Sequence, residues 1–205
     1  MTRGETVKRL ATLVAIGGWA SLGLQLWLII DTLGPASGTW RFVGFFTILT
    51  NIMVATMATG IAVGRGGWLA LPVPRMAVTA AILLVGITYW ILLAGLWDPK
   101  GAQLVADIGL HSVQPLLAAA WWWAMRDGSL AWRDVPKAAI WPALYVAYAL
   151  ARGHLDGWYA YWFLNPREQS LSGMALSIAG LLLAILVVGA ALVLGDRTKR
   201  AQHRL

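Results

Sequence analysis

The sequence predicts an all-α polytopic membrane protein: one domain, residues 1–205, folded as a bundle of six transmembrane helices with both termini cytoplasmic. Three observations predict it. First, 59% of the 205 residues are hydrophobic and only 12% are charged, where a soluble domain carries roughly 25% charged residues. Second, the chain divides into six apolar stretches, most of them about 20 residues long, the length that crosses a bilayer. Third, 12 of the 16 Lys and Arg residues fall in the head, the second and fourth loops and the tail, which the positive-inside rule assigns to the cytoplasm. The net charge of +7 is therefore topological, and a nucleic-acid partner is not expected. There is no cysteine, so disulfide and thiolate chemistry are excluded.

The elements follow in order. A basic head with Arg3, Lys8 and Arg9 precedes the first span, 10–30, which is long enough to cross and is followed by no convincing cleavage site, so it reads as uncleaved. Residues 31–41, with Gly34, Pro35 and Gly38, read as a turn-rich loop. The second span is 42–63, and a short loop with Arg65, Pro72 and Pro74 leads to the third, 76–96. Trp97-Asp98-Pro99-Lys100-Gly101 closes it. The fourth span, 105–125, opens on a polar stretch, and a charged connector, 126–137, lets Trp132 rest at the interface. The fifth, 138–152, is the shortest and contains Pro142. An aromatic loop, 153–170, separates it from the sixth, 171–194, and a basic tail with Arg197, Lys199, Arg200 and Arg204. Most of the 13 tryptophans lie near span ends, as an aromatic belt does.

Polar residues gather near the outer face. His111 is about six residues inside the fourth span, or roughly 9 Å deep at 1.5 Å per residue. Asp107 at i−4 and Gln114 at i+3 share its helical face, and Pro115 deprives the His111 carbonyl of its helical partner. Thr47, Thr50 and Asn51 form one face of the second span at a similar depth. Gln25, Tyr89, and a Tyr145–Tyr148–Arg152 stripe add three more spans to the layer. Ionisable groups inside a membrane are costly and face the bundle interior, so the layer marks a pocket.

Such a pocket supports nucleophilic chemistry. A hydroxyl needs a base, and the base an orienting acceptor. Thr47 as nucleophile (Thr50 in reserve), His111 as general base and Asp107 as orienter supply the residue types. Thr50, Asn51, Gln114, Tyr89, Tyr148, Arg152 and Asn165 are the candidate substrate-binding residues. Of these, Tyr148, Arg152 and Asn165 could take a carboxylate or an oxyanion. A metal site is not expected: there is no HExxH and no second in-span histidine, His154 and His203 falling in a loop and the tail. No cofactor motif is present. Two other readings stay open, a non-enzymatic binder or transporter using the same pocket, and a structural subunit in which the layer is interhelical hydrogen bonding.

Three patches carry a resemblance. They are Gly38-Thr39-Trp40-Arg41-Phe42 with Phe45-Phe46-Thr47-Ile48-Leu49-Thr50-Asn51, then His111 with Pro115, and then Gly157-Trp158-Tyr159-Ala160-Tyr161-Trp162-Phe163-Leu164-Asn165. On these residues the chain resembles bacterial six-span membrane proteins distantly similar to the androgen-induced and androgen-dependent family of animals. Known members of that family are threonine hydrolases of fatty acid esters of hydroxy fatty acids. The resemblance implies a hydrolase of lipid esters in the bacterial cytoplasmic membrane, with the bilayer and a lipid or fatty-acid-derived ligand as partners and His111 as the catalytic histidine. Aligned without a gap on Trp40-Arg41-Phe42, the family's nucleophile position falls on Gly44. Thr47 lies one turn deeper and takes the role if the helix is shifted by about 5 Å. Trp162 stands where the family tends to have proline.

Overall fold

The computed structural model describes residues 2–202, so His203 and Arg204 of the tail lie outside the described residues. Within them the chain is all-helical, without a strand. Helix α1 (Arg3–Leu33) begins inside the basic head, well before residue 10, because the head carries a capping box. The Thr2 hydroxyl accepts from the Glu5 N–H at 3.3 Å, and the Glu5 carboxylate accepts from the Thr2 N–H at 2.9 Å, satisfying two donors that a helix start leaves open. Gly34, at φ +78°, ends the helix.

The loop expected at 31–41 is instead a second helix, α2 (Pro35–Phe42). Pro35 suits the first helical position, where its missing N–H costs nothing. Gly38 lets α2 fold back on α1, since a Cβ there would lie 2.9 Å from the Ile30 Cα. Helix α3 (Phe46–Ala62) leaves α2 at an 80° bend across Val43-Gly44-Phe45. Helix α4 (Pro72–Thr88) continues through a wide π-helical turn, Tyr89–Leu93, and a tight 3-10 turn, Ala94–Leu96.

Helices α5 (Gly101–Ile108) and α6 (Gln114–Met125) are joined by another π-helical turn, Gly109–Val113. There the Gln114 N–H reaches back five residues to the Gly109 carbonyl, next to the proline that interrupts the ordinary ladder. A 3-10 stretch, Trp132–Ala139, leads into α7 (Ile140–Asp156). The fifth unit thus runs one turn past the expected 138–152, to a left-handed Gly157 at φ +74°. Helix α8 (Leu171–Gln202) closes the chain.

Three helical runs, Arg3–Leu33, Pro72–Leu96 and Leu171–Lys199, are long and apolar enough to cross a membrane, or four if the bent α2–α3 pair is one span. The α5–α6 run is less apolar because Asp107, His111, Ser112 and Gln114 interrupt it. In their most apolar windows α4 is 56% buried, against 22% for α1 and for α8. Helix α4 is therefore the central post, while α1 and α8 turn large apolar side chains such as Ile16, Trp27, Leu176 and Leu183 outward, as a lipid-facing surface requires.

The core has two inner parts. Val14, Met57, Ile82 and Trp121 pack α1, α3, α4 and α6 together. Met76, Leu84, Trp122, Ile185 and Val193 join α4 and α6 to α8. Buried Asp196 on α8 secures the connector after α6, accepting the N–H groups of Asp127, Gly128 and Leu130 at 3.0 Å each.

Candidate active site

The 80° bend places the first turn of α3 against the π-helical turn of α5–α6. Thr47 is the second residue of α3, and its Oγ1 lies 3.3 Å from His111 Nε2. His111 Nδ1 is 3.0 Å from the main-chain carbonyl of Asp107 and 3.2 Å from its Oδ1. A carbonyl only accepts, so this contact puts a proton on Nδ1, and in the neutral ring the Nε2 lone pair then faces the Thr47 hydroxyl. The carboxylate flanks the same N–H off its axis, and Tyr89 donates to its other oxygen, Oδ2. The Tyr89 and His111 rings stack with centroids 3.9 Å apart and an interplanar angle of 15°, which fixes the imidazole plane. The order is therefore Tyr89, Asp107, His111, Thr47.

Why these groups meet is a matter of local packing. Gly86 keeps this approach close: a Cβ there would sit tightly, 3.1 Å from the His111 carbonyl and 3.2 Å from the Pro115 ring. Helix α4 can therefore press directly on the π-helical turn. Buried Asn51 ties α3 to the same turn, donating to the Thr47 carbonyl at 2.8 Å and the Leu110 carbonyl at 3.4 Å.

A cavity of about 430 Å³ opens beside the pair, within the range of small-molecule sites. Thr47, Tyr89, Asp107 and His111 line it with Gln25, Arg41, Gln103, Tyr161 and apolar walls from Ile29, Phe45, Leu96 and Trp97. A narrower apolar crevice of about 50 Å³, walled by α4, α7 and α8, shares Thr47, Leu93 and Tyr161 with it. Thr47 stands at the junction.

The other sequence-predicted residues lie elsewhere. Thr50 is fully buried and accepts from the Trp141 indole N–H at 2.9 Å, so the reserve nucleophile faces α7 and not the cavity. Gln114 turns to α1, donating to the Val14 carbonyl at 3.0 Å beside Gly17 and Gly18; the five-residue turn rotates it off the face it would share with His111. Tyr145 and Tyr148 donate to the Gly44 and Val43 carbonyls at 2.8 and 3.0 Å, pinning the bend. Arg152 is buried and spends its donors on the Trp40 carbonyl, the Tyr148 hydroxyl and the Asp156 carboxylate. Asn165 caps its own loop, bonding Glu168 and the Arg167 N–H. Gly44 faces this brace: a Cβ would lie 2.5 Å from Trp158 and 2.7 Å from the Arg152 guanidinium. A side chain at position 44 would have to displace Trp158 and Arg152, while Thr47 points at the imidazole.

Among the cavity's lining residues, sequence reasoning missed three with polar side chains, Gln103, Arg41 and Tyr161. Gln103 was legible, four residues before Asp107 on the same helical face, and it pairs with Gln25 through an amide contact of 2.8 Å. Arg41 and Tyr161 come from α2 and the aromatic loop, and no spacing rule points to them. The Tyr161 ring borders the cavity, but its hydroxyl is enclosed and accepts from the Thr47 N–H at 3.5 Å. Burial pushes this phenol above its ordinary value, so it stays protonated and can donate. Among the described residues, no group of three His, Cys, Asp or Glu side chains comes together to hold a metal. No family model, curated protein or solved structure matches this chain.

Proposed function

We propose that this chain is a membrane-embedded hydrolase of lipid esters, with Thr47 as nucleophile and His111 as general base. The observation that carries the reading is the 3.3 Å contact between the Thr47 hydroxyl and Nε2 of His111, where a largely apolar cavity carrying a few polar groups meets an apolar crevice. Thr47 Oγ1 attacks the ester carbonyl carbon while its proton moves to His111 Nε2. The oxyanion meets the Tyr161 hydroxyl, which lies 3.5 Å from the Thr47 N–H at the start of α3. The tetrahedral adduct collapses to a threonyl ester, and the departing alkoxide takes the proton from His111. Water, deprotonated by the same imidazole, then releases the fatty acid and restores Thr47. Asp107 flanks the imidazolium, and Tyr89 holds Asp107.

The same reading makes the helical units six spans: α1, α3, α4 with its extension, α5–α6, α7 and α8. The Lys and Arg bias puts both termini in the cytoplasm and the cavity near the outer face, and the family resemblance suggests a bacterial cytoplasmic membrane. Hydrolysis of long-chain acyl esters by the purified protein in nanodiscs tests the function. Turnover abolished by Thr47→Ala and His111→Ala, but kept by Thr50→Ala, is the expected result. Folded protein without turnover on any ester would favour a lipid-binding or transport role for the cavity.

A further inference from the structure

The cavity holds a charge that ester hydrolysis does not use. Arg41, in the last turn of α2, lines it and is half-buried. Its guanidinium carbon lies 4.1 Å from the Trp158 ring centroid, a stacked position that orients the planar fork of donors. Among the described residues Arg41 takes part in no side-chain hydrogen bond and in none of the five ion pairs. Stacking holds the group while its donors stay unspent.

The surroundings do not neutralise it. Arg152 lies on the same indole at 5.3 Å, but its donors are committed. Asp156, the acid beside it, already accepts from Arg152, the Trp40 indole N–H and the Trp158 N–H. Two guanidinium groups therefore flank one ring with a single carboxylate, and that carboxylate belongs to Arg152. The acid lining the cavity, Asp107, takes the Tyr89 hydroxyl on one oxygen and turns the other to His111, and it forms no ion pair with Arg41. Gln25 and Gln103 satisfy each other. A fixed, partly desolvated cation with free donors, between apolar walls, complements an anion on an apolar chain.

We propose that Arg41 is a carboxylate subsite and that the cavity takes a long-chain monocarboxylate, its head group on the Arg41 fork and its chain along the apolar walls. One guanidinium with free donors suits a monoanion better than a phosphate dianion. The inference rests on the cavity being the ligand site of the proposed hydrolase. It adds a consequence: the fatty acid that hydrolysis releases carries the group Arg41 holds, so free fatty acid restrains turnover.

The test reads binding, which separates it from turnover. Thr47→Ala protein in zwitterionic nanodiscs is titrated with radiolabelled palmitate, methyl palmitate and hexadecyl phosphate. Palmitate is expected to bind about tenfold tighter than its methyl ester, the scale of one charge-assisted pair. Adding Arg41→Gln removes that preference, and Arg41→Lys keeps part of it. Equal affinity for acid and ester, a preference that survives Arg41→Gln, or Arg41-dependent binding of the phosphate tighter than palmitate each overturns the assignment. If Arg41→Gln does not fold, Arg41→Lys carries the test, and an unchanged preference there overturns it as well. An intact preference without ester turnover would sink the hydrolase reading alone. Turnover without the preference would sink only this one.

Discussion

Two buried carboxylates, Asp196 at the α6–α7 connector and Asp107 beside the cavity, show how the two ends of this bundle differ. Asp196 accepts three backbone N–H groups and holds a connector closed. Asp107 receives one Tyr89 hydroxyl, and its second oxygen faces an imidazole N–H that already bonds the main chain. The first is saturated, so its burial is compensated and it has no capacity to respond to a ligand. The second keeps electrostatic capacity for a charge that forms only during reaction, when His111 takes a proton. The lesson is that burial alone does not mark a site. Unspent bonding capacity beside a cavity does.

The sharpest way to break this comparison is at His111. His111→Ala is expected to lower ester turnover by about 10²–10⁴-fold, the scale of a general base, with little loss of melting temperature. A collapse in stability instead would make the histidine structural. Tyr161→Phe follows: removing one oxyanion donor costs about 10²–10³ in kcat, with KM nearly unchanged.

Asp196→Ala tests the opposite end. It strands three backbone donors, and an unpaired buried donor costs about 1–3 kcal/mol, so melting temperature should fall sharply while the specific activity of folded protein holds. Asp107→Asn should cost activity but far less than the ~10⁴ lost where a carboxylate alone sets the tautomer, because here the main-chain carbonyl also holds the Nδ1 proton. The smallest effect is expected at Asp134 in the connector. A Lys137 ammonium at 2.7 Å and the Ala131 N–H hold its carboxyl below the usual value. A folded-state value below the unfolded one gives stability at neutral pH that is lost as pH falls through the folded value. Asp134→Asn should therefore lower stability by roughly 0.5 kcal/mol at pH 7, since Lys137 is half exposed, and the deficit should vanish in acid.

What the sequence revealed, and what it hid, follows from periodicity. An i, i+4 spacing placed Asp107 and His111 on one face, and the shared depth of Thr47 and His111 paired two spans that now touch. Depth carries no azimuth, so Thr50, Tyr148 and Arg152, at similar depth, turn to α7 contacts or the α2–α3 bend. Gln114 was misplaced because its face was counted at 3.6 residues per turn through a turn that is wider. The 31–41 segment was misread because Gly34 and Pro35, residues that mark loops, also end one helix and begin the next. Arg41 and Tyr161 reach the cavity through tertiary folding alone.

The most direct test of the Thr47–His111 pair is covalent. The purified protein would be incubated with a fluorophosphonate, digested, and its modified residue mapped by mass spectrometry, alongside the His111→Ala protein. Label on Thr47 that disappears without His111, in protein that still melts as the wild type does, is the expected result. Label on Thr50, or on Thr47 at the same rate in both proteins, would contradict the pairing of this hydroxyl with this base.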